Sequence, residues 1–143
     1  MNERGRTSAS FLIAVLVVLV AVGGYVAWTY LRPDPYALSE RVVRDARREL
    51  SDEVRDFQRN GEEVAHAAKQ KGKDPGAAIE EAANKARKEI DAVIRESRDR
   101  LAGLDVELRT QRNRMDRIES RAQEARDMIT EHAEELKTKA TGG

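Results

Sequence analysis

The stretch RLAGLDVEL, residues 100–108, decides how the charged part of this chain folds. Its three leucines lie three and four residues apart, which is the spacing of an apolar seam along one helix. Gly103 lies off that seam, and an isolated glycine inside a helix costs only about 1 kcal/mol. We therefore expect the helix to continue through Gly103. The alternative is a break there, with Asp105 capping a further helix, which would permit a three-helix bundle with helices at about 37–71, 75–102 and 105–138.

The same spacing runs through the whole C-terminal part of the chain. From Leu101 onward the steps alternate between three and four residues, the 3.5-residue repeat of a coiled coil. Because few positions in each heptad are apolar, the stripe suits a two-stranded contact better than a bundle. The sequence thus predicts a long coiled-coil helix over 77–140 that pairs as a parallel homodimer. The main residues of this oligomer seam are Ile90, Ile94, Leu101, Leu104, Leu108, Met115, Ile118, Ile129 and Leu136.

A shorter amphipathic helix is predicted before the coiled coil. Apolar residues recur every three or four positions from Val43 to Ala68, which indicates a helix over 37–71. Gly61 lies on this apolar stripe, and we expect a weak point or a bend there.

The sequence KGKDPG interrupts the helical pattern after residue 71. Gly72 suits the position that follows a helix, where a left-handed backbone is common. Asp74 followed by Pro75 suits a helix start, since aspartate caps the free amide groups and proline fits the first helical position. We therefore expect a turn over 72–76.

The N-terminal part of the chain is apolar. Phe11–Leu31 contains no charged side chain, and as a helix it is about 30 Å long, the thickness of a bilayer's hydrocarbon core. We expect a retained transmembrane helix, a signal anchor, over 11–31, after a polar tail over 1–10. A signal peptide cleaved near Gly24 is disfavoured because the apolar run continues past that point. The residues expected at the membrane interface are Tyr25, Trp28, Tyr30 and Arg32.

Two prolines end the membrane helix, because proline cannot continue its hydrogen-bond ladder. Pro33 and Pro35 predict a short, stiff linker over 32–36.

The net charge on either side of the span favours a cytoplasmic N-terminus, whereas a longer count of basic residues that includes Arg47 and Arg48 favours the opposite. We expect the protein in the inner membrane of a bacterial cell, with its C-terminal region outside the cytoplasm and a frayed end over 141–143.

Composition narrows the classes of function. The chain has 26 basic and 26 acidic residues and no cysteine. A balanced charge disfavours nucleic-acid binding, and without cysteine there is neither a disulfide nor a thiolate site. His66 and His132 form no known metal motif; His132 falls on the seam, where it either loosens the end of the coil or makes a pH-sensitive contact. Large apolar residues are scarce after residue 31, so we expect no compact core. We expect no enzyme, cofactor, metal or small-molecule substrate.

The outline of the chain resembles the b subunit of bacterial rotary ATP synthases: a short tail, one anchor, prolines at the membrane exit (Pro33 and Pro35), and a long charged helix. The KGKDPG interruption departs from that family. The outline is also similar to phage inner-membrane spanins. These resemblances imply a stalk subunit of a transport complex or a lysis protein. The residues themselves favour an all-α, single-pass, membrane-anchored coiled-coil protein that acts as a tether, spacer or scaffold, with lipid and another protein as its partners.

Overall fold

The computed structural model of this chain describes residues 2–31 and 34–142. Within them there are four helices and no strand, which confirms the all-α prediction. The chain divides into two compact units, residues 1–34 and 35–143. The helices are α1 (Asn2–Leu31) in the first unit, and α2 (Pro35–Gln70), α3 (Pro75–Ala102) and α4 (Leu108–Thr141) in the second.

Helix α1 is long and apolar enough to cross a membrane. Its segment Ala9–Leu31 is 23 residues long and has a mean hydropathy of 2.6 over its most apolar 18 residues, and its side chains are exposed. A signal sequence near an N-terminus can meet the same criteria of length and composition. The helix already begins at Asn2, so its first turns include residues for which a polar tail was predicted.

Helices α2, α3 and α4 pack together as an up-down-up bundle. Contacts between α3 and α4 run in opposite directions along the two helices: Arg98 meets Glu119 near the start of α4, whereas Glu80 meets Lys137 near its end. The short links between the helices, residues 71–74 and 103–107, are typical of antiparallel neighbours. Helices α2 and α4 therefore run parallel.

The continuous helix predicted over 77–140 is wrong. Helix α3 ends at Ala102, Gly103 caps it with its N–H bonded to the carbonyl of Asp99, and α4 begins only at Leu108. Gly103 keeps an ordinary right-handed backbone, so no left-handed turn marks the break. The break lets α4 fold back and bury its apolar stripe against α2 and α3 within one chain.

The expectation of no compact core is also wrong, because alanine does much of the packing. Small side chains let the helix backbones approach closely, so a narrow apolar stripe on each helix is enough. Gly61 shows the same effect: a Cβ atom there would lie 2.6 Å from Cδ1 of Leu136, so the glycine makes room for α4. The buried core consists of Val42, Val43, Ala46, Leu50, Val54, Phe57, Ile79, Ala83, Ala86, Ile90, Val93, Leu101, Ile118, Ala122, Ala125, Ile129 and Ala133.

The local signals in KGKDPG are confirmed. Gly72 has a left-handed backbone with φ of 71°, and the N–H of Lys73 reaches back to the carbonyl of Ala68 at 2.8 Å, which closes α2 with a Schellman motif. The carboxylate of Asp74 accepts a hydrogen bond from the Gly76 N–H at 3.0 Å, and Pro75 opens α3.

Candidate interaction surfaces

The residues of the predicted oligomer seam lie mostly inside one chain. Buried in the bundle core are Ile90, Leu101, Ile118 and Ile129. Packed against the core and partly exposed are Ile94, Leu104, Met115 and Leu136. Leu108, the first residue of α4, is 70% exposed and is the exception. Pairing two chains through this seam would require the bundle to open.

The aromatic residues predicted at the membrane interface are exposed near the C-terminal end of α1. They are Tyr25, Trp28 and Tyr30. The hydroxyl of Thr29 donates to the carbonyl of Tyr25 at 2.8 Å, so this polar group is satisfied within its own helix, as a membrane segment requires. Arg32 lies outside the described residues.

A groove of about 450 Å³ between α2 and α3 carries an excess of acidic side chains. Its floor is apolar and includes Phe57 and Ala86. We call it the acidic groove. Its charged lining consists of Glu53, Asp56 and Glu63 from α2 and Lys85 and Glu89 from α3.

Carboxylates repel one another along this acidic groove. Burial raises the pKa of Glu53 above its ordinary value, and the charge of Glu89 on α3 adds to the shift. One turn earlier on α2, burial raises the pKa of Glu49, and Glu96 of α3 adds to it, while Arg100 opposes. The two helices therefore bring like charges together along one line.

A second groove, of about 260 Å³, lies between α2 and α4 and is rich in arginine. Its floor is again apolar and includes Leu50 and Met128. A shallower depression of about 450 Å³ beside it on the same face shares Arg47 and Arg121 and adds Arg117 and Asp116. We call this face the basic groove. Its charged lining consists of Arg47, Arg55, Arg117, Arg121, Asp116 and Glu124.

The third face of the bundle, between α3 and α4, has balanced charges. Glu80 accepts hydrogen bonds from Lys137 at 2.6 Å and from Arg87 at 3.2 Å, and these bonds lower its pKa. Arg126 pairs with Asp91 in the same way. Of the three faces, this one is neutralised within the chain.

The sequence analysis considered only the total charge and missed that acidic and basic side chains lie on different flanks of α2. The signal is present in the sequence. Acidic residues recur at helical spacing at positions 45, 49, 52 and 56, and arginines recur at 44, 47, 48 and 55. Residues three and four apart share a helix face, so these two sets line opposite flanks of α2.

The histidines make ordinary side-chain contacts. A ring nitrogen of His132 pairs with the side-chain amide of Gln58 across α2 and α4, and His66 pairs with Gln70 at 3.2 Å. Among residues 2–31 and 34–142, no group of three histidine or carboxylate side chains is placed to hold a metal ion.

We expect Glu53→Gln to stabilise the bundle by about 0.5 kcal/mol at pH 7, because it removes repulsion from Glu89 and the neighbouring carboxylates of α2. The folded pKa of Glu53 is raised, so the ionised form opposes folding: the penalty is absent below the unfolded value near 4.5 and is complete above the folded pKa. The gain should therefore vanish near pH 4. Urea denaturation at both pH values measures it, with Glu81→Gln as the control.

No protein-family description, curated protein or solved structure matches this chain.

Proposed function

We propose that this chain is a single-pass membrane protein that acts as a structural tether, spacer or scaffold through helix–helix association. The observation that carries the proposal is the order of the two units along the chain. A helix of spanning length, Ala9–Leu31, is followed after three residues by the first helix of a folded bundle. The proposal is structural rather than enzymatic, with membrane lipid and protein as the partners.

The bundle supports the role of a short spacer. Helix α2 has 36 residues, so it is about 54 Å long. Salt bridges and an apolar core hold α3 and α4 along it, which makes it stiffer than a lone charged helix. An extended stalk of the ATP synthase b type needs a helix that runs on, whereas α3 turns back at residues 71–74. The fold-back favours the compact spacer over the stalk.

The coiled-coil homodimer predicted from the seam has less support than the bundle. Ile90, Ile118 and Ile129 would have to leave a core in which they are at most 1% exposed. We therefore place the proposed helix–helix association on the outer surface of the bundle.

We expect the full chain to stay in the membrane pellet through carbonate and high-salt washes, with its N-terminus intact. A reporter fused after Gly143 should be active only outside the cytoplasm, because the net charge favours an inner N-terminus. Recovery of a soluble protein whose N-terminus lies near Gly24 would rule out the anchored tether. A reporter active only in the cytoplasm would reverse the orientation and favour a cytoplasmic scaffold.

A further inference from the structure

We propose that copies of this chain associate side by side in the membrane, with the basic groove of one copy against the acidic groove of the next. The occupant of each groove is therefore a second copy of the same chain. The charges are complementary, since the acidic groove is lined by four carboxylates and one lysine, and the basic groove by four arginines and two carboxylates. This inference rests on the membrane anchor of the proposed function.

The acidic groove and the turn of α2 before it have few neutralising partners within their own chain, chiefly Lys85 and Arg100. Glu49 faces Glu96, and Glu53 faces Glu89, across the line where α2 meets α3. Lys85 is the one basic residue in the lining of this groove. A row of arginines from another copy would relieve this repulsion, whereas water and salt only screen it.

The basic groove offers suitable arginines. Over the described part of the bundle, residues 35–142, Arg47 and Arg55 take part in none of the ion pairs. Arg121 is bonded only to Glu124, three residues along its own helix, at 3.4 Å. The guanidinium group can bind a carboxylate through two parallel hydrogen bonds, so arginine suits such a contact better than lysine.

The two grooves overlap along α2, since its residues 53–64 line the acidic groove and its residues 47–58 line the basic groove. Arg47 and Arg55 on one flank of α2 span the same turns as Glu49, Glu53 and Asp56 on the other flank. Two copies whose α2 helices are parallel and level therefore bring the two rows of charge opposite each other. Copies inserted in the same direction have their bundles on the same side of the membrane, which permits parallel pairing of their α2 helices.

The contact is weak, which explains why it needs the membrane. A single exposed ion pair contributes little to binding, so a few pairs do not hold two soluble proteins together. Anchoring raises the effective concentration of the partner and fixes its direction. Because each copy uses two different surfaces, the contact is heterologous and extends to a row or a closed ring.

Energy transfer between copies in vesicles tests this proposal. The chain has no cysteine, so Thr141→Cys provides a single labelling site for a donor or an acceptor dye. The full chain, reconstituted in neutral phosphatidylcholine vesicles at low salt, should give energy transfer above the level of randomly placed copies. Raising the salt to about 1 M, where the screening length is about 3 Å, should return the signal to the random level.

Charge reversal identifies the surfaces. Glu53→Lys with Asp56→Lys gives the acidic groove three lysines against two carboxylates, so both grooves are then basic. Arg47→Glu with Arg55→Glu gives the basic groove four carboxylates against two arginines, so both grooves are then acidic. Either variant alone should fall to the random level, and an equal mixture of the two should recover the excess transfer. In each variant the new charges lie beside opposite charges of their own chain, such as Glu89 or Arg121, so the bundle should remain helical by circular dichroism.

Two results would overturn the proposal: random transfer for the unmodified chain at low salt, or excess transfer that both reversed variants retain. Gly23→Leu, a change confined to the span, should leave the transfer unchanged. If it abolishes transfer, the copies associate through their anchors and the grooves are not the interface. Flotation of the labelled chain with the vesicles is measured in the same samples, so loss of the anchor is distinguished from loss of association.

Discussion

Ile129→Asp is expected to unfold the bundle, whereas Leu108→Asp is expected to leave it folded. Ile129 is fully buried between the helices, and Leu108 is 70% exposed. Replacing a buried isoleucine loses about 1.5–3 kcal/mol of burial, and an unpaired carboxylate in the core costs several kcal/mol more. The sum is comparable with the whole stability of a small domain, about 5–15 kcal/mol.

Circular dichroism and urea denaturation of the full chain in detergent measure both variants. Ile129→Asp should lose most of the helical signal of α2, α3 and α4, and Leu108→Asp should change the urea midpoint little. The pair separates the bundle from the predicted coiled coil, in which both residues are on the seam and both substitutions are disruptive. A loss of helix in Leu108→Asp as large as that in Ile129→Asp would contradict the bundle.

The second large effect is expected in the anchor. Leu16→Arg together with Val20→Arg should release the protein from the membrane fraction. The two positions lie in the middle of Ala9–Leu31 and one helical turn apart. An arginine at the centre of a spanning helix costs about 2.5–3.5 kcal/mol on an insertion scale, and each substitution also removes a favourable apolar residue.

Ala9→Arg with Ser10→Arg provides the matched control, because arginines at the end of the span can extend their charges to the interface. That variant should remain in the carbonate-washed pellet. The readout is the share of protein in the pellet for each variant. Equal retention of both double variants would show that α1 does not hold the chain by spanning the bilayer.

The sequence predicts local structure well where one residue has one suitable place. The end of α2 and the start of α3 fall where Gly72, Asp74 and Pro75 predict them, because each of these residues fits a particular backbone position or capping role. Gly103 is different, because it breaks the helix in an ordinary right-handed conformation and the apolar repeat runs through it in phase. Periodicity alone therefore does not distinguish one long helix from a hairpin of two.

The sequence analysis did not predict the buried core, for a related reason. Ala83, Ala122 and Ala133 are at most 1% exposed, yet alanine in a charged helix is equally common on a solvated surface. Its place in the core becomes evident only when the neighbouring helix is known. The same holds for the charged rows of α2. The sequence shows the spacing of Glu49, Glu53 and the arginines, but which neighbouring helix each row faces depends on how α3 and α4 pack.

The central claim, that α4 folds back along α3, is tested most directly by one distance. Arg87→Cys and Thr130→Cys introduce two spin labels into a chain without native cysteine, and dilution with unlabelled protein leaves only pairs within one chain. In the bundle these side chains are in contact at 3.0 Å, on helices whose axes are about 8–10 Å apart, so electron–electron resonance should give a short, narrow distance distribution. In a continuous helix the sites are 43 residues apart, about 65 Å, and a distribution centred there would contradict the bundle.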